Sequence, residues 1–148
     1  MIAINSHIIS FFFIIILIAE IGHNLNLDHS REGNEEYGDQ TCMMGYSYKL
    51  DDLPKMCFNA PKGRQLGWYS SGQHAVVDEF FEGKILGISN YYDLVTSNGE
   101  IIMAILNDPI NALDWYVSFN RATGINENVQ EAPDQVLVHK RTQGTEYR

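Results

Sequence analysis

Residues 19–29 read Ala-Glu-Ile-Gly-His-Asn-Leu-Asn-Leu-Asp-His, and this stretch limits what the chain can become more tightly than any other. His23 and His29 stand six positions apart with Asn26 between them. For both imidazoles to serve one site, a helix carrying His23 has to stop and turn sharply before His29. That turn demands a residue with positive φ. Glycine is the usual choice, and asparagine is the next best in the left-handed conformation.

The same eleven residues can be set against the extended zinc signature H-E-x-x-H-x-x-G-x-x-H. There, two histidines at i and i+4 share one helix face and grip one ion. A glutamate beside the first histidine acts as general base toward water, and a third histidine closes the site after the turn. This chain keeps Glu20, His23 and His29. Asn26 replaces the glycine, a mild change. Ala19 replaces the first histidine, and a methyl group ligates nothing. His7 cannot substitute on a continuous helix, because it lies sixteen residues before His23, roughly 24 Å along the axis. The implied Zn2+ site is therefore incomplete.

Charge narrows the function classes. The chain of 148 residues has a net charge of −9, spread along its length. Nucleic-acid backbones need clustered Lys and Arg, so nucleic acid is not an expected partner. An anionic membrane surface finds no polybasic patch either. The two cysteines, Cys42 and Cys57, lie fifteen positions apart in a turn-rich stretch. In an oxidising compartment they would close a small disulfide loop, and in a reducing one they would be free thiols.

Residues 1–19 carry no charged side chain. The apolar core from Ile8 is shorter than the roughly 20 residues a spanning helix needs, and it suits a signal-peptide core or a signal anchor. The alternative is a buried segment of a domain. A first helix is expected to run from this segment to about Leu25. A second begins near Asn59, a good N-cap, with Pro61 in its first turn. Beyond Ser70 the pattern turns to short strands around 75–81, 84–89, 100–106, 113–119 and 136–139, punctuated by Asn98-Gly99, Asp108-Pro109 and Thr123-Gly124. The segments 91–96 and 100–106 are expected to form a hairpin around Asn98-Gly99.

Downstream of the histidines comes Cys42-Met43-Met44-Gly45-Tyr46. Here the chain resembles the metzincin metallopeptidases, whose Met-turn forms an apolar floor under the metal. Met44 would be that methionine, and Tyr46 would stand near the metal. Met43 reads as core filler. Further runs, Tyr37-Gly38-Asp39-Gln40, Pro54 to Asn59, Gln65-Leu66-Gly67-Trp68-Tyr69 and Tyr116 to Asn126, are similar to the gametolysin (autolysin) family. The resemblance covers the chain from residue 19 onward.

That resemblance implies an α+β fold, the C-terminal part of a metzincin-like catalytic domain followed by a small β-rich region. It implies three zones: an apolar leader over 1–19, a partial metallopeptidase domain over 20–69 and a β-rich portion over 70–148. The implied function is zinc endopeptidase action on extracellular-matrix or cell-wall glycoproteins, outside the cell or at its surface, with the leader as a possible membrane anchor. The missing ligand sets a second expectation beside it, a pseudoprotease or a β-rich binding module from a truncated gene. The acidic Glu32, Glu35, Glu36, Asp51 and Asp52 read as solvated loops, and His74 and His139 as structural or exposed.

Overall fold

The computed structural model describes residues 18–45, 55–69, 73–77, 80–94 and 98–143. The expectations placed on the leader before residue 18, on Tyr46, and on Asp51 and Asp52 lie outside the described residues.

A helix, α1, covers 18–24 and ends where the sequence requires. Asn26 takes φ 64°. Its N–H donates to His23 O at 2.9 Å, while Leu27 N–H donates to Gly22 O at 2.9 Å. These two bonds are the Schellman stop, and they satisfy carbonyls that the helix end would otherwise leave bare. The second helix, α2, is Ala60–Gln65, with the Asn59 side chain accepting from Lys62 N–H and Pro61 in the first turn.

Among the described residues six strands follow: β1 His74–Val77, β2 Lys84–Ile85, β3 Glu100–Ile101, β4 Met103–Asp108, β5 Leu113–Asn120 and β6 Gln135–Thr142. Four form a mixed sheet in the order β1-β4-β5-β6, and β2 pairs with β3 in a small parallel ladder. β1 runs parallel to β4 with His74 opposite Met103. β4, β5 and β6 are antiparallel, with Ile105 opposite Tyr116 and Tyr116 opposite His139. Helix and strand together make an α+β fold.

Among the described residues the expected hairpin around Asn98-Gly99 is not made. Residues Ile88–Asp93 make a 3-10 helix, and Glu100 and Ile101 pair in parallel with Lys84 and Ile85. Ile88, Tyr91 and Leu94 recur every three residues and all meet the same core. That period fits a 3-10 turn, so their burial overrides the β propensity of the segment. The hairpin partner of β4 is β5, and its turn carries Asp108-Pro109. Asn111 caps that turn by donating N–H and Nδ2 to the Asp108 carboxylate at 3.1 and 2.7 Å.

Two apolar clusters hold the molecule. One packs Leu27, Cys42, Met43, Met44, Met56, Phe58 and Val129, with Ile18 and Ala122 against it. The other joins Ala60 and Tyr69 to Ile88, Ile102, Met103, Ile105 and Tyr116. Both draw residues from before and after residue 70, so the two zones share their cores.

Candidate metal centre

His23 leaves the last turn of α1 and His29 follows the turn at Asn26. Their Nε2 atoms meet at 3.0 Å, and the rings lie edge to face with centroids 4.7 Å apart. The outer nitrogens are both engaged. His23 Nδ1 is 2.9 Å from Leu27 O, and His29 Nδ1 is 2.8 Å from Glu36 Oε1.

These contacts assign the tautomers. A carbonyl oxygen and a carboxylate can only accept, so each Nδ1 carries the hydrogen and donates it. With Nδ1 donating, Nε2 is the nitrogen that each ring turns toward the other. At 3.0 Å the two Nε2 atoms can share a cation, either a proton or a metal ion. Two nitrogens bound to one tetrahedral zinc at about 2.0–2.1 Å would stand about 3.3 Å apart, close to the observed spacing. The outward Nδ1–H bonds to a carbonyl and a carboxylate are the supports that metal-binding histidines use to fix ring and tautomer.

Ala19 stands four residues before His23 on α1, one turn earlier on the same face. Glu20 is on α1 and exposed. Met44 is 1 % exposed, and its sulfur sits so close to Gly22 that any Cβ there would displace it. The Met44 carbonyl accepts from Ser30 N–H at 2.7 Å, which ties the chain just after His29 to the residue beneath α1. Cys42 and Cys57 stand as free thiols in this structure. Cys42 Sγ instead accepts from Asn59 N–H at 3.3 Å. Burial, and then the neighbouring Cys42, push the Cys57 thiol up to about 12, so it stays protonated and inert at neutral pH.

Several supporting residues carry no sequence signal. Lys62, 6 % exposed, sends its ammonium from α2 to the carbonyls of Asp28 and His29. Gln65 Nε2 donates to Asn26 O at 2.6 Å. Asn59 Nδ2 donates to Asp39 Oδ2 at 2.9 Å, and the same carboxylate pairs with His139 Nε2 at 3.3 Å. Burial pushes the Asp39 carboxyl up, but His139, Thr41 and Asn59 together outweigh it and hold the pKa at about 2. Glu36, read from sequence as a solvated acid, is half exposed and still anchors His29. Tyr37 lies against the His29 ring with centroids 4.1 Å apart. An acid and an aromatic seven and eight residues after a ligand could have been suspected. Nothing in a lysine on a six-residue helix points to its burial. An open cleft beside the centre is lined by His29, Arg31, Lys62, Trp115 and His139 among others.

The family model described as gametolysin peptidase M11 matches residues 2–145. The chain belongs to that family. The match begins at residue 2, so the gametolysin likeness, read from sequence as starting at 19, takes in most of the apolar leader as well. No curated protein and no solved structure matches the chain. Gametolysin-family peptidases are zinc metallopeptidases, and the histidine pair fits zinc as two of its ligands. Among the described residues, no three His, Cys, Asp or Glu side chains gather as a metal-holding group.

Proposed function

We propose that the chain carries the chemistry of a secreted or cell-surface zinc endopeptidase of the gametolysin type, in a weakened form. Its substrates would be proteins and glycoproteins of an extracellular matrix or cell wall. The observation that carries this reading is the meeting of two Nε2 atoms at 3.0 Å, each ring braced from behind through Nδ1.

In this reading His23 and His29 hold the ion, which when bound supplies Lewis acidity toward water and a peptide carbonyl. Glu20 accepts the proton of the attacking water and passes it to the leaving amine. Met44 keeps an apolar floor under α1, as in a metzincin. The cleft that His29 lines offers an extended peptide an approach. Ala19 favours a second reading, a pseudoprotease that binds protein without cleaving it.

A zinc titration of the chain beside Ala19→His, followed by chelator-sensitive cleavage of a protein substrate, tests the reading. The new imidazole lies one turn before His23. It should tighten zinc by about 100-fold or more, since even outer supports of a ligand are worth about 10–100-fold. Equal titrations for the two chains would show that position 19 does not face the pair and would overturn the proposed centre. Zinc uptake by both, with cleavage by neither, would favour the pseudoprotease.

A further inference from the structure

Lysine is among the side chains least often fully buried, because its ammonium loses its hydration unless paired. Lys62 is 6 % exposed, and burial pulls its pKa below the ordinary lysine value. It sits in the first turn of α2, where its own N–H is capped by Asn59 Oδ1 at 3.2 Å. The side chain leaves α2 and ends on Asp28 O and on His29 O, the latter at 3.4 Å.

Those two carbonyls belong to the peptide planes on either side of the His29 Cα. Holding one plane would leave the other free to turn. Holding both restricts φ and ψ of His29 together, and so fixes the direction in which its Cα–Cβ bond points. The His29 N–H is held as well, donating to Asp28 Oδ1 at 2.9 Å. The ring beyond is braced by Glu36 at Nδ1 and by Tyr37 on its face. The backbone half of this support comes from a helix more than thirty residues away in sequence.

We infer that Lys62 is a positioning residue of the metal centre: from α2 it clamps both peptide planes flanking His29 and so delivers that imidazole to His23. The inference rests on the zinc reading proposed above for its functional meaning, while the clamp itself is independent of any metal. A residue that acted only as filler would be replaceable by an apolar side chain of similar length. A clamp would not.

The test uses the full chain and its Lys62→Met and Lys62→Arg variants. Zn2+ affinity is read by competition with a chromophoric chelator, and amide hydrogen exchange at His29 and Ser30 is read on the metal-free proteins. Lys62→Met should lose about 10–100-fold in zinc affinity, the range for removing an outer support of a ligand. It should also exchange faster at His29 and Ser30. Lys62→Arg, which keeps the cation and its donors, should recover most of both. Unchanged affinity and exchange in Lys62→Met would overturn the inference. If Lys62→Met does not fold, Lys62→Gln, a donor too short for both carbonyls, takes its place under the same criteria. If the unsubstituted chain takes up no zinc, the zinc reading falls, and the exchange comparison alone decides the clamp.

Discussion

Gly22 and Met44 show how single residues shape the centre. Gly22 lies one position before His23, and the Met44 sulfur occupies the space its missing side chain leaves. Met44 has little room to retreat, being 1 % exposed in a closed apolar cluster. Gly22→Ala therefore overpacks the contact, and the expected cost is about 1–3 kcal/mol. Alanine's better helix propensity returns at most about 1 kcal/mol of that. Denaturant unfolding of the two chains measures the difference, and a variant at least as stable as the parent would show that Met44 can yield. Much at this scale was readable in advance. Asn26 takes its left-handed φ of 64° because the alternation of ligand and turn leaves few other residues able to do so. Glu36 was read as a solvated acid and Tyr37 only as part of a gametolysin-like run, since an acid and a tyrosine in a polar loop resemble any solvated face until the ring they brace is placed.

The elements differ in how far local chemistry settles them. Asn59 forms its cap as expected, but it has a second task. Its Oδ1 accepts from Lys62 N–H while its Nδ2 donates to Ser30 Oγ and Asp39 Oδ2, all within a buried site. Asn59→Ala removes the cap and leaves a buried carboxylate short of a donor, so the expected destabilisation is about 2–4 kcal/mol. Thermal unfolding checks this, and a loss no larger than that of a simple cap, about 1 kcal/mol, would mean that Asp39 finds other donors. The hairpin expected at Asn98-Gly99 failed for a related reason. Gly99 does adopt φ +70°, as a turn signal there implies. The expected partner strand is not made by the described residues, because Ile88, Tyr91 and Leu94 are recruited to a core supplied by distant residues.

Across the whole molecule, the loop after His29 is tied to the far edge of the sheet. Asp39 joins Asn59 at the start of α2 to His139 on β6. The folded pKa of Asp39, about 2, lies below its ordinary 3.8. The group therefore stabilises the fold above about pH 4, by about 2 kcal/mol, and that stability is lost as pH falls through about 2. Urea midpoints taken between pH 5 and pH 2 should fall along this course, and Asp39→Asn should flatten it. An unaltered slope in the variant would assign the acid sensitivity to other carboxylates. The zones read from the sequence on either side of residue 70 are bound in this way by the Asp39–His139 contact and by two shared cores. By itself the sequence determined what short-range chemistry can dictate: the helix stop at Asn26, the cap at Asn59, the strand-rich second half, and the spacing of Glu20, His23 and His29. Only the tertiary structure decided which strands pair, that Cys42 Sγ accepts from Asn59 N–H, and that Lys62 reaches the carbonyls beside His29. Those outcomes depend on contacts between residues tens of positions apart, where burial and the need to satisfy every buried polar group outweigh any local preference.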